Sequence, residues 1–211
     1  MKVCEIFPGI QGESSHAGVP CTFIRMTGCN LRCTYCDTVY AYEEGTELTE
    51  DEIMARVRAI GLITVEITGG EPLLQGDVVP LARRLLDEGY NVLIETNGSQ
   101  DISGIDERAL IILDIKAPGS GMTDGIMPSN IPLLKPRDEV KFVVTGRNDY
   151  EWAKRFIRDH SLTGRCTLLL SPVFGMLDPK DLARWILEDR LRVRLNLQLH
   201  KYLYGPDARG V

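Results

Sequence analysis

Cys29, Cys33 and Cys36 stand within eight positions of one another in the run Gly28-Cys29-Asn30-Leu31-Arg32-Cys33-Thr34-Tyr35-Cys36-Asp37-Thr38. Three thiolates on one loop can seize a metal centre, yet they fall one short of the four ligands that close a structural site. A zinc ion would need a further Cys or His, and His16, His160 and His200 are all remote in sequence. A four-iron cluster with one iron left open takes three thiolates directly, and the open iron can then coordinate a small molecule.

Two other stretches carry chemical potential. In Gly69-Gly70-Glu71-Pro72 the paired glycines let backbone approach a ligand closely, although alone such a run is more often an ordinary turn. Arg25 sits among Phe23, Ile24 and Met26, and a guanidinium inside an apolar strand needs an anionic partner unless it snorkels from an edge.

The elements that must position these residues alternate. Strands are expected at residues 3–7, closed by Pro8-Gly9, and at 21–26, leading straight into the cysteine loop. Thr49 with Glu52 makes a capping-box pattern for a helix carrying Ile53, Ala55, Val57 and Ile60 on its apolar side. Residues 64–68 read as a strand, 77–88 as a helix through Val78, Leu81, Leu85 and Leu86, and 91–95 and 110–115 as strands. The Gly/Pro/Ser-rich stretch 117–136 is expected to lack regular structure and to form a flap or lid. Then come a strand at 139–144, a helix at 150–160, a strand at 166–170, a helix at 180–188 and a last strand at 191–199. In that last strand Val193, Leu195, Leu197 and Leu199 alternate with Arg194, Asn196, Gln198 and His200.

Strand-helix-strand order calls for a parallel sheet with right-handed crossovers. About six core strands with four clear helices are too few for a closed eight-fold barrel. The expectation is therefore an α/β fold, an incomplete (open) parallel β/α barrel, with a doubly wound flat sheet as the alternative. The 211 residues suffice for one domain, which at this length buries roughly 70% of its unfolded surface. Thirty acidic against 24 basic residues argue against broad binding of nucleic acid. The start has neither a basic nor an apolar leader region and no window approaches a membrane span, so the expectation is a cytoplasmic protein whose remaining Cys4, Cys21 and Cys166 are ordinary core residues.

Taken together, the three-cysteine loop with its aromatic Tyr35 and the Gly-Gly-Glu-Pro turn after the next strand resemble the radical S-adenosylmethionine (SAM) enzymes. The resemblance implies a 4Fe-4S cluster on Cys29, Cys33 and Cys36 and SAM chelated to the open iron. It further implies one-electron cleavage of SAM to start hydrogen abstraction, and an electron donor such as flavodoxin or ferredoxin. Glu5-Ile6-Phe7, Ile10-Gln11-Gly12-Glu13, Arg25, Cys36-Asp37-Thr38 and the tail Gln198-Leu199-His200-Lys201 to Arg209-Gly210-Val211 are similar to the 7-carboxy-7-deazaguanine synthase family of queuosine biosynthesis. That family converts 6-carboxy-5,6,7,8-tetrahydropterin to 7-carboxy-7-deazaguanine with loss of ammonia, assisted by magnesium.

Carried over residue by residue, the resemblance implies substrate contacts from Ile10, Gln11, Gly12, Glu13, Arg25, Thr68, His200 and the Val211 terminus. Tyr35, Gly69, Gly70, Glu71, Glu95, Lys116 and Ser171 would contact SAM, and Thr38 would hold magnesium. Asp114 and Lys116 could equally form an ordinary ion pair. Ser14 departs from the family, where a glycine is expected. Few helices cover the sheet, so a homodimer is expected. Two rivals stand beside this one: an activase installing a glycyl radical on a partner protein, and a non-catalytic iron-sulfur or zinc binding module.

Overall fold

The computed structural model describes residues 1–211. Nine strands form one sheet: β1 (Lys2–Ile10), β2 (Pro20–Met26), β3 (Thr46–Glu47), β4 (Thr64–Gly69), β5 (Asn91–Thr96), β6 (Leu110–Asp114), β7 (Glu139–Val144), β8 (Thr167–Pro172) and β9 (Arg194–Leu195). Their spatial order is β3-β1-β2-β4-β5-β6-β7-β8-β9. β1 runs antiparallel to β2 and β3, whereas every neighbouring pair from β2 to β9 is parallel. Its two ends remain unpaired with each other, so the barrel is open. The six longer parallel strands are the expected core, and the outermost strands are only two residues long, which leaves little edge for another chain to pair with.

Helices α1 (Glu50–Ile60), α2 (Val78–Asp87), α3 (Arg147–Asp159) and α4 (Pro179–Glu188) fill the crossovers, and a short α5 (Leu199–Tyr204) follows β9. The capping box at α1 closes as predicted: Glu52 N–H donates to Thr49 Oγ1 at 3.3 Å while Thr49 N–H donates to Glu52 Oε2 at 2.8 Å. Met54, not Ala55, joins Ile53 and Val57 in the core, because the helix turns its Ala55 side to solvent.

Parallel strands covered by helices on one face alternate sharply here. Val65 and Ile67, Val92 and Ile94, Ile111 and Leu113, and Val140 and Phe142 pack with Ile53, Leu81, Leu85, Ala153 and Ile157 of the helices in one apolar core. Each such side chain, fully buried, contributes roughly 1.5–3 kcal/mol. The alternate positions point to the concave face and carry Arg25, Glu66, Thr68, Glu95, Asp114 and Lys141, all of which line a single cavity. The period of two therefore separates stability from chemistry.

Three expectations need correction. β1 continues through Pro8 and Gly9 instead of stopping there. β3 covers only Lys2 and Val3, so Pro8 lies where the second side of β1 needs no donor. The region 117–136 is not a loose flap: three 3-10 turns bury Ser120, Asn130 and Ile131, and Thr34 of the cysteine loop donates through its hydroxyl to Gly119 O at 2.7 Å and through its N–H to Ser120 O at 3.0 Å. The last strand is not 191–199 but two residues, after which the chain turns into α5. Leu195 is exposed and Asn196 buried, and Asn196 Nδ2 donates to the buried Ser171 hydroxyl at 2.9 Å.

Candidate active site

The cysteine loop leaves the C-terminal end of β2, and the Gly-Gly-Glu-Pro turn leaves the adjacent end of β4. They are welded backbone to backbone: Glu71 N–H donates to Gly28 O at 2.8 Å and Gly70 N–H to Met26 O at 3.3 Å. A Cβ on Gly70 would lie 2.6 Å from Gly28 C and 2.8 Å from the Cys29 Cβ, and Gly69 has φ +138. Both glycines thus have a packing reason to be glycine besides any ligand.

Cys29, Cys33 and Cys36 are free, half-buried and line the cavity together. Three free thiols lining one cavity are the donor set that a four-iron cluster with one open iron takes. Burial pushes the Cys33 thiol up, and Lys116 opposes it by favouring the thiolate. Asp114 Oδ1 is buried with no partner in the protein, an unmet acceptor in the wall that holds Cys33 and Lys116, suited to the ammonium or hydroxyl groups of SAM. The residues present therefore fit both groups.

Of the SAM candidates, Tyr35, Gly69, Gly70, Glu95 and Lys116 line the cavity, but Glu71 and Ser171 do not. Glu71 is fully buried and uses both carboxylate oxygens within the protein, accepting from Thr96 Oγ1 and Asn97 N–H at the end of β5, both at 2.7 Å, and from Leu73 N–H at 3.1 Å. Ser171 is buried under Asn196. Tyr35 is anchored by its hydroxyl, which donates to Val143 O at 3.3 Å. Lys116 and Asp114 pair at 3.0 Å, as the plainer alternative held, while also facing the cavity.

At the other end of the cavity the chain's head and tail meet. Ile10, Gln11, Gly12, Glu13, Arg25, Thr68, Thr38, His200 and Val211 all line it. Gln11 accepts from Glu13 N–H at 2.6 Å and donates through Nε2 to Glu66. Glu13 is held by Lys141 at 2.6 Å and by Gln198 at 2.9 Å. Leu199 N–H donates to Gly12 O at 2.8 Å, and no side chain at position 12 would fit beside the His200 ring. Val211 lies under β1, where a Cβ on Gly9 would be 2.9 Å from its carbonyl carbon. Ser14, at the position that departs from the expected glycine, adopts φ +61, the conformation a glycine would favour; its hydroxyl accepts from His16 N–H at 3.0 Å.

Arg25 finds an anion within the chain itself: its Nε donates to Glu5 Oε1 at 2.7 Å, and Tyr40 OH donates to the same oxygen at 2.9 Å. Arg25 lines the cavity, and its two Nη groups have no protein acceptor. Burial disfavours ionisation of Tyr40, and its hydroxyl is pushed up to about 12 despite the nearby Arg25 charge.

Sequence reasoning did not single out Glu66 and Lys141, and it quoted Glu5, Asp37 and Lys201 in motifs without giving them a role. Lys141 bridges Glu13, Glu95 and Asp114, and burial, which disfavours its charge, is outweighed by those carboxylates, so its pKa rises. Lys201 clamps α5 onto Asp37 at 2.6 Å. The signal was present for two of them: Glu66 lies between Val65 and Ile67, and Lys141 between Val140 and Phe142, each a charge inside a strand buried on both faces.

Residues 23–159 match the family model described as the radical SAM superfamily. The chain is 50% identical over its whole length to a 7-carboxy-7-deazaguanine synthase from Chlorobaculum tepidum, covering 97% of that protein. It is 44% identical to one from Koribacter versatilis, with both chains covered completely. In fold it is similar to the crystal structure of QueE from Escherichia coli, with a TM-score of 0.79 at 23% identity and 94% of each chain covered. The chain therefore belongs to the radical SAM superfamily and, within it, to the family of the 7-carboxy-7-deazaguanine synthases.

Proposed function

We propose that this chain forms 7-carboxy-7-deazaguanine from 6-carboxy-5,6,7,8-tetrahydropterin by ring contraction with loss of ammonia. The observation that carries this is the meeting of head and tail: Glu13, Gln198, His200 and Val211, from opposite ends of the chain, share one cavity with the cysteine loop. When bound, the 4Fe-4S cluster on Cys29, Cys33 and Cys36 supplies one-electron cleavage of SAM, which starts hydrogen abstraction from the substrate.

The chain's own residues bind and orient. Arg25, steadied by Glu5, offers its Nη pair to the substrate carboxylate, a bidentate geometry suited to that anion. Glu13, kept ionised by Lys141 against the cost of burial, accepts from amino and ring N–H groups of the pterin edge. Thr68 and His200 contact the ring from β4 and α5, and the tail excludes water from that side. Thr38, whose hydroxyl donates to Asp37 Oδ1 at 2.9 Å, supplies an oxygen ligand for magnesium. A flavodoxin or ferredoxin delivers the electron, in the cytoplasm, where six free cysteines stay reduced. A homodimer would cover the exposed Leu195, Tyr202, Leu203 and Met176 near the β9 edge.

The test is anaerobic reconstitution with iron and sulfide, then incubation with reductant, SAM, magnesium and the tetrahydropterin, with products read by mass spectrometry. 7-Carboxy-7-deazaguanine is expected; SAM cleavage without it would reject the substrate while keeping the superfamily chemistry. Arg25→Ala is expected to abolish turnover with iron content unchanged.

A further inference from the structure

The acids on the cavity floor outnumber the lysines among them. Glu13, Glu66, Glu95 and Asp114 share the cavity with Lys116 and Lys141. Lys141 pairs with three of these acids and Lys116 with Asp114, but no lysine or arginine reaches Glu66 within ion-pair distance. Glu66 is 2% exposed on β4. Burial, followed by the neighbouring Glu95 charge, pushes its carboxyl well above the ordinary range.

Its single side-chain partner is Gln11, itself 3% exposed. The orientation of that amide follows from its other end: Glu13 N–H donates at 2.6 Å, so the atom there is the acceptor Oε1, and the NH2 group must point at Glu66. A chain of contacts thus runs from the floor through Gln11 to the backbone of Glu13, whose carboxylate is then aimed by Lys141 and Gln198. Gln11 spends both ends of its amide inside the protein and shapes the turn.

We propose that Glu66 is a positioning residue for substrate recognition: from the floor of the cavity its carboxyl holds the Gln11 amide and thereby sets the Gln11-Gly12-Glu13 turn that presents Glu13 to the pterin. This rests on the assignment of the turn to the pterin in the preceding section. What Glu66 contributes is a hydrogen-bond acceptor of fixed position, not a charge, because a carboxyl beside other acids with no cation of its own keeps that role when neutral. An amide of the same shape can therefore replace it.

The experiment uses the reconstituted protein with SAM bound, comparing Glu66→Ala and Glu66→Gln with the unsubstituted chain. Hydrogen exchange of the amides of residues 10–19 is read beside the KM and equilibrium affinity for 6-carboxytetrahydropterin. Loss of the bond in Glu66→Ala should speed exchange at Glu13 about tenfold and weaken the pterin by a similar factor. Iron content and SAM affinity should stay unchanged, and Glu66→Gln should restore most of both losses. Unchanged exchange at Glu13 in Glu66→Ala would overturn the proposal, as would a Glu66→Gln protein as impaired as Glu66→Ala. If Glu66→Ala does not fold, Glu66→Leu, which removes the acceptor while filling the space and leaves the Gln11 amide intact, is held to the same outcomes. If the unsubstituted chain binds no pterin, the substrate assignment falls, while exchange at Glu13 still decides the role of Glu66.

Discussion

The two ends of the cavity are built by different physics. At the cofactor end the cysteine loop and the Gly-Gly-Glu-Pro turn are joined by backbone contacts so close that no Cβ fits at Gly70, and Glu71 spends its carboxylate on Leu73 N–H of the turn and on Thr96 and Asn97 at the end of β5. At the end proposed to take the substrate almost every contact is between side chains from distant parts of the sequence: Glu13 with Lys141 and Gln198, Glu5 with Arg25, Asp37 with Lys201. A backbone weld gives a rigid seat that depends on shape. An ion network gives an adjustable wall that depends on every charge having its partner.

The largest expected effect breaks the network. Lys141→Met leaves Glu13, Glu95 and Asp114 without their common cation in a buried site, which should cost about 3–5 kcal/mol. Denaturant unfolding measures it, and iron uptake in the protein that remains folded should be unaffected. A parallel loss of iron would mean that the two ends are one unit.

Next comes Gly70→Ala, aimed at the weld. Its methyl meets the backbone of Gly28 and the Cβ of Cys29, neither of which can yield, and the overpacking should cost about 1–3 kcal/mol. Iron content and SAM affinity should fall together while pterin affinity holds; weaker pterin binding would refute the separation.

The smallest effect is a pH dependence. Burial lowers the pKa of His200 below 6.5, against the opposing pull of Glu13 and Asp37. The folded state thus prefers the neutral ring, and more protons bind on unfolding. The contribution is present above the unfolded value of 6.5 and is lost as pH falls through the lower folded value. Following α5 by hydrogen exchange from pH 7.5 to pH 5.5 should show the tail loosening as the pH falls, with the cysteine loop unmoved; equal loosening of both would sink the contrast.

Legibility differed between the two ends for the same reason. The cysteine spacing, the glycine pair and the Thr49 cap are local, and local geometry follows from neighbours in sequence. Arg25 was recognised as a charge in an apolar strand, but its Glu5 partner was not, since Glu5 pairs with it only through the register of β1 on β2. The expected long last strand failed because its alternation was satisfied by a two-residue strand and a turn into α5, where the buried Asn196 serves Ser171.

By itself the sequence determined the alternation of strands and helices through the parallel core and the spacing of the three cysteines, because hydrophobic period, turn residues and ligand spacing act over a few residues at a time. Only the tertiary structure decided that Glu66 and Lys141 belong to the site, that Glu71 and Ser171 stand behind it, and that residues 117–136 brace the cysteine loop. Those outcomes depend on which face of a strand meets the helices and which strands lie side by side. That choice is made by the burial of the whole apolar face at once, and no single stretch of residues contains it.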